Sequence, residues 1–279
     1  MEAYKGEDTM THYQVFAACF PELEVSEEAF AHMLPLEKAS VLEHRDKGEL
    51  AGYAAVEGSA LRLLCVLPEY QGKGIGASLL RQAENQIRGA GGKEAVIGGT
   101  SSRLFIGAPE KAMGFFEKNG YAVTDRFDEM TGDLSSFQAA DFSLPAPEGA
   151  AFGWYHGDLA ALQKAVASVD EGWVQYFNGR QPVFCGTLDG RIASFCAVEE
   201  WENCLLSNGR NRVGAPGCVG TVPEFRRRGI GLKMVALACE ELKKQGCDTC
   251  FIHYTGVAHW YAKLGFRVFL TQYFCHKAL

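Results

Sequence analysis

The sequence predicts an α/β (α+β) protein of two tandem domains that share one fold, each a mixed, mainly antiparallel sheet flanked by helices. Three blocks, each present twice, predict it. Val66-Leu67-Pro68-Glu69-Tyr70-Gln71-Gly72-Lys73-Gly74-Ile75-Gly76 returns as Thr221-Val222-Pro223-Glu224-Phe225-Arg226-Arg227-Arg228-Gly229-Ile230-Gly231. Phe115-Phe116-Glu117-Lys118-Asn119-Gly120-Tyr121 returns as Trp260-Tyr261-Ala262-Lys263-Leu264-Gly265-Phe266, and the segment 48–57 returns as 190–199. The offsets are 155, 145 and 142 residues, in one order, as loop insertions between matching blocks would produce. Repetition at this length marks duplicated globular domains rather than a solenoid.

The elements follow in order. Met10 to Cys19 and Ser26 to Leu34 read as helices. Val41 to His44 and Gly52 to Val56 read as an antiparallel meander, and Ala60 to Val66 as the strand entering the first Gly-rich turn. Ile75 to Arg88 places Ile75, Leu79, Ala83 and Ile87 on one helical face. Ala95 to Ile97 is a short strand, Glu110 to Lys118 a helix stopped by Gly120, and Ala122 to Thr124 a last strand. Prolines and a glycine in Ser143-Leu-Pro-Ala-Pro-Glu-Gly-Ala150 mark a linker. The expected domains are therefore 1–143 and 151–279, joined by 144–150.

The second domain repeats the order: helix Asp158 to Val169, then strands Val183 to Thr187 and Ile192 to Val198 across an Asp189-Gly190 hairpin. Gly217 to Val222 leads into the second turn, Gly231 to Gln245 is the helix after it, and Gly246 caps that helix. Thr249 to Tyr254 is a strand, Val257 to Leu264 a helix closed by Gly265, and Val268 to Phe274 the final strand. Gly120 follows Gly76 by 44 positions, whereas Gly265 follows Gly231 by 34. The extra residues around 98–109 are a candidate lid or interdomain contact.

The 279 residues suffice for two cores, and 47% apolar with 22% charged residues is ordinary for a globular chain. A net charge of −7 argues against nonspecific binding to nucleic acid or anionic membrane, and no run of 18 apolar residues suggests a membrane span. The N-terminus shows no secretory signal, and ten scattered cysteines read as reduced thiols, so a cytoplasmic setting is expected. Cys247 and Cys250 have metal-ligand spacing without a second Cys or His pair, so no metal is expected.

Each Gly-rich turn aims backbone N–H groups at one spot, and the positive end of the next helix adds to them; such a turn suits phosphate. Arg226, Arg227 and Arg228 form a local basic exception in an acidic chain, on the second turn. Gly72-x-Gly74-x-x-Ala77 also satisfies a dinucleotide fingerprint, but the second copy has Arg227 where that pattern needs its first glycine.

At these residues the chain resembles the GCN5-related N-acetyltransferase superfamily. Gln71 to Gly76 and Arg226 to Gly231 match its Gln/Arg-x-x-Gly-x-Gly/Ala turn; Phe116 to Tyr121 and Tyr261 to Phe266 match its late-helix block. The resemblance implies two acyl-CoA N-acyltransferase folds, acetyl-CoA as cofactor, and transfer of an acetyl group to a small amine. Cofactor contacts would come from Val222, Arg227, Arg228, Gly229, Ile230, Gly231 and Leu232, and in the first copy from Leu67, Gly72, Lys73, Gly74 and Gly76. The family's late-helix Tyr, the acid that protonates the leaving thiolate, corresponds to Tyr261. The first copy has Phe116 there, which has no proton to give, so catalysis is expected in the C-terminal domain. Glu199 and His253 are the candidate bases; Glu200 ends the same strand as Glu199, and Glu57 is the counterpart of these acids in the first copy. A departure is Tyr254-Thr255-Gly256, where the family often has an Asn before the late helix. A homodimer, and a CoA-binding or sensing role without turnover, stay open.

Overall fold

A computed structural model describes residues 10–99 and 104–279. The chain divides into two compact units: 1–127 with 203–209 and 271–279, and 128–202 with 210–270. This differs from a cut at the proline linker. The first half ends its sheet contribution at residue 127, and the last nine residues of the chain belong to the first unit.

In unit 1, helices α1 (His12–Cys19) and α2 (Glu27–Met33) are capped by Thr11 and Ser26, whose side chains accept from Gln14 and Ala29 N–H groups. Strands β1 (Ser40–Asp46), β2 (Glu49–Glu57) and β3 (Ala60–Val66) form the antiparallel meander. After the first Gly-rich turn comes α3 (Ile75–Gly89), then β4 (Glu94–Ile97), parallel to β3 at Ala60↔Val96 and Leu61↔Ile97. A two-residue strand β5 (Ala108–Pro109) and helix α4 (Met113–Lys118) follow. Leu79, Leu80, Ala83 and Ile87 of α3 pack into one core with Ala54, Leu61 and Phe116.

The insertion is built into that unit. Residues 100–103 lie outside the described residues, but Leu104, Phe105, Ile106 and Ala108 are buried, and the Phe105 ring packs on Phe20. A Cβ at Gly107 would meet the Tyr273 backbone, so a lid is not what the described part of this segment forms.

Strand β6 is expected to end at Thr124 and instead runs from Ala122 to Asp133. In space, residues 128–133 enter unit 2 and pair with that unit's sheet.

Unit 2 adds a strand that the linker composition hides, β7 (Ala150–Trp154), then α5 (Leu159–Ala167) capped by Asp158. Strands β8 (Val183–Leu188), β9 (Arg191–Glu200) and β10 (Val213–Thr221) continue the antiparallel order from β7. The second Gly-rich turn leads into α6 (Ile230–Lys244), then β11 (Thr249–Thr255) and the short helix α7 (Ala258–Tyr261), extended by a 3₁₀ turn to Leu264. The final strand, β12 (Arg267–Ala278), supplies its first four residues to unit 2 and the rest to unit 1. There it is antiparallel to β4 at His276↔Val96, Lys277↔Ala95 and Ala278↔Glu94.

Met234, Val235, Ala238 and Leu242 of α6 pack on Cys196 and Val198 of β9 and on Cys250 and Ile252 of β11. By strand alternation, Phe195, Ala197 and Glu199, with Phe251 and His253, project from the other face. All ten cysteines are free thiols, and Cys247 and Cys250 are buried, the latter 3.9 Å from the Cys239 sulfur. No helix among the described residues is long and apolar enough to cross a membrane.

Candidate active site

The two phosphate turns are built alike. Each strand runs into a 3₁₀ turn opened by a proline, Pro68–Tyr70 or Pro223–Phe225, and each following helix has a left-handed glycine at its N-cap, Gly74 at φ 82° and Gly229 at φ 82°. The first residue of the motif is a clamp. Gln71 Nε2 donates to the Val66 carbonyl at 2.9 Å, and Arg226 Nε donates to the Thr221 carbonyl at 3.0 Å. Gln and Arg are interchangeable here because each brings a planar N–H to the same strand end. Arg227 occupies φ 62° where the first copy has Gly72 at φ 74°; this left-handed conformation costs a non-glycine residue about 1 kcal/mol or more.

The N-terminus of α6 has no side-chain cap, and its first intrahelical bond is Lys233 N–H to the Gly229 carbonyl at 3.2 Å. The N–H groups of Ile230, Gly231 and Leu232 therefore emerge from the helix end. A cavity of about 590 Å³ lies there, lined by Arg226 to Leu232, Val219 and Thr221 of β10, and Val257, Trp260, Tyr261 and Lys263. Open N–H groups, a glycine cradle, three guanidiniums and an apolar wall fit a pyrophosphate attached to a long apolar-lined arm. Arg227 to Leu232, expected from the sequence as cofactor contacts, all line this cavity.

Val222, also expected as a contact, does not line the cavity. Val222 N–H donates to the Ala193 carbonyl at 2.9 Å, and its own carbonyl accepts from Phe225 at 2.9 Å. Both backbone groups are used, as are those of Leu67, which bond to Ala51 and Tyr70. Val219 and Thr221 line the cavity instead. In the first copy the Lys73 ammonium lies 4.9 Å from the Tyr70 ring centre.

The glycines differ in what a side chain would meet. A Cβ on Gly231 would overlap Thr221 Oγ1, and one on Gly229 would overlap the Pro145 carbonyl oxygen, since the linker passes over the turn. Around Gly74 nothing lies within 4 Å, so a side chain there meets only the strain of the left-handed φ, which Gly229 shares. Gly231→Val is therefore expected to abolish acetyl-CoA binding, partly by displacing the turn itself, whereas Gly74→Val leaves turnover standing. Steady-state assays beside circular dichroism check both; loss of activity in folded Gly74→Val would assign turnover to the first copy.

Beyond the turn the sheet of unit 2 opens. Strands β10 and β11 are in parallel register only at Val213↔Thr249 and Gly214↔Cys250, and a bulge between Gly217 and Gly220 turns β10 away. Tyr261 lies on the wall of the resulting cleft, 6% exposed, with its ring edge-on to Trp260 at 4.8 Å. Burial pushes its phenol well above the ordinary tyrosine value, with the Cys196, Cys250 and Cys239 thiols adding to the shift. The hydroxyl therefore stays protonated throughout the physiological range, as a proton donor must. In unit 1, Phe116 is buried in the core against Tyr121.

The base candidates separate. Glu200 is held by Arg212 through two bonds of 2.6 and 2.7 Å, which keep its carboxyl below the usual range, and Glu57 is paired with Arg62. Glu199 and His253, 54 positions apart in sequence, come together around Trp201. Trp201 Nε1 donates to Glu199 Oε2 at 3.1 Å, and its ring is 5.4 Å from that of His253. His253 Nδ1 is 3.0 Å from Oε2 of Glu129, a fully buried carboxylate on β6. Sequence reading passed over Glu129 and Trp201. The one signal was a pair of acids, Asp128-Glu129, between Phe127 and Met130, an odd neighbourhood for a loop.

A splayed mixed sheet with a phosphate turn at one end of the splay defines the acetyltransferase class of fold. Residues 3–133 match the family described as "Acetyltransferase (GNAT) domain", and residues 150–266 match "Acetyltransferase (GNAT) family". The chain belongs to the GCN5-related N-acetyltransferase superfamily, as a tandem two-domain member.

Solved structures with this fold include the glucosamine N-acetyltransferase region of a fungal multi-domain β-N-acetylglucosaminidase, at TM-score 0.73 and 21% identity; the match covers 94% of this chain and 36% of that one. This chain thus spans little more than a third of that protein. A Sphaerobacter thermophilus GCN5-related N-acetyltransferase matches at TM-score 0.67 and 18% identity, over 95% of this chain and 90% of its own. A tandem protein from the clavulanic acid biosynthesis pathway matches at TM-score 0.60 and 13% identity, over 97% and 96%. No curated protein matches this chain significantly.

Proposed function

We propose that this protein is an acetyl-CoA-dependent N-acetyltransferase for a small cationic amine, with the reaction in the C-terminal unit. The observation that carries this reading is the asymmetry of the two copies. The cleft of unit 2 joins a basic phosphate turn to a protonated tyrosine, whereas the first copy offers a core phenylalanine at that place.

Arg226 to Leu232 would hold the pyrophosphate, and Val219 and Thr221 would line the arm. The bound thioester supplies an activated acyl carbon. An amine must reach it unprotonated, so a base at the opening of β10 and β11 takes the amine proton as the N–C bond forms. As the C–S bond breaks, Tyr261 gives its proton to the departing thiolate. Glu199, with the Trp201 ring beside it and the half-exposed Tyr254 ring on β11, suits an ammonium-bearing substrate, since a carboxylate and aromatic faces both attract cations.

Thiol release from acetyl-CoA, followed with a panel of polyamines, amino sugars including glucosamine, aminoglycosides and amino acid derivatives, tests the reading. Amine-dependent steady release is expected. Acetyl-CoA binding without release by any amine would replace it with a sensing role.

A further inference from the structure

We propose that His253 is the base that deprotonates the amine, and that Glu129 is the residue that positions it. The inference rests on the reading that unit 2 turns over.

The bulge in β11 is what assembles the pair. Met130 pairs with Ile252 and Asp128 with Thr255, so two residues, His253 and Tyr254, stand opposite the single residue Glu129. Tyr254 takes up the strain at φ 53°. Its backbone N–H and the His253 ring nitrogen Nδ1 then converge on one oxygen, Oε2 of Glu129, each at 3.0 Å. A carboxylate oxygen only accepts, so Nδ1 carries the proton and donates. The lone pair of the neutral imidazole is left on Nε2, the nitrogen remote from Glu129.

Burial separates the two roles. Glu129 is 0% exposed, while the His253 side chain keeps 24% of its surface. A buried carboxylate is costly to keep, and capping the bulge needs only an acceptor for the Tyr254 N–H, which a neutral side chain also supplies. Fixing the orientation of a partly exposed imidazole is what the charge adds.

The placement suits the reaction. His253 lies three residues past Cys250, where the parallel pairing of β10 and β11 ends, on the sheet face opposite α6. The rings of Trp201, Phe251 and Tyr254 flank it, and Glu199 approaches through Trp201 from β9. The transfer balances within this chain. The amine nitrogen bonds to the acyl carbon and its proton passes to His253 Nε2, while the thiolate takes a proton from Tyr261. Net proton transfer from the imidazolium through solvent restores the phenol.

Two variants and one spectroscopic readout test this in the whole 279-residue chain. Long-range ¹H–¹⁵N spectra of ring-labelled histidine, with the His253 signals assigned by their loss in His253→Gln, are expected to show the Nδ1–H tautomer. Glu129→Gln is expected to shift that signature toward Nε2–H and to lower kcat by about 10- to 100-fold, leaving KM for acetyl-CoA in place. His253→Gln leaves the bulge and Glu129 untouched, so it serves if Glu129→Gln does not fold. It is expected to lose about 10²- to 10⁴-fold in kcat with acetyl-CoA affinity retained. An Nε2–H tautomer in the wild type, or wild-type turnover in His253→Gln, overturns the proposal while leaving the acetyltransferase reading intact. A wild-type protein that binds acetyl-CoA and transfers to no amine overturns both.

Discussion

Tyr261→Phe is expected to lower turnover by about 10²- to 10⁴-fold with acetyl-CoA affinity nearly unchanged. The change removes one hydroxyl and leaves the ring against Trp260 in the wall of the cleft. It also converts the second copy to what the first already has at Phe116, so the chain supplies its own control. Burial holds the phenol protonated, so the loss should be uniform across the neutral range rather than confined to one arm of a pH profile. The converse, Phe116→Tyr, is expected to create nothing, because it places a hydroxyl in the core of unit 1 without the cleft around it. Near wild-type kcat in Tyr261→Phe, measured with a true acceptor, would remove the phenol from the mechanism.

A fragment cut at the linker, residues 151–279, is expected not to fold. It lacks the β6 segment 128–133 that pairs with β11 over Thr249↔Asp133 to Thr255↔Asp128. It also lacks Met130, Leu134, Phe137 and Ala139, all part of the core around α6. Loss of large buried side chains costs about 2–5 kcal/mol apiece, so three of these together are comparable with the roughly 5–15 kcal/mol that holds a typical domain folded. The fragment would also free an edge of β11 and leave His253 without Glu129. Fragment 1–143 suffers in kind, because residues 271–279 complete the strand next to β4. Cooperative thermal unfolding of fragment 151–279 close to that of the intact chain would contradict this.

The contrast shows where sequence reading reaches. The turns and the helices after them are legible because a glycine at left-handed φ, a helix stripe and a repeated block are all local features. Gly74 and Gly229 occupy the same φ, 82°, at the same place in both copies. The fate of the last strands was not legible, since any strand with an apolar face pairs with whichever open edge tertiary structure presents. The extension of β6 was missed for a related reason. Asp125, Arg126, Asp128 and Glu129 are charged, and only a histidine 124 positions away makes a buried Glu129 sensible. The backbone partners of Val222 are equally hidden, because sequence does not reveal that Ala193 and Phe225 already bond to it.

The central claim is that one of the two related turns, the second, holds the cofactor for catalysis. Calorimetric titration of the intact protein with acetyl-CoA tests it most directly. One binding site per chain is expected, preserved in Gly74→Val and lost in Gly231→Val with the fold retained. Binding lost through Gly74→Val and kept in Gly231→Val would contradict the account.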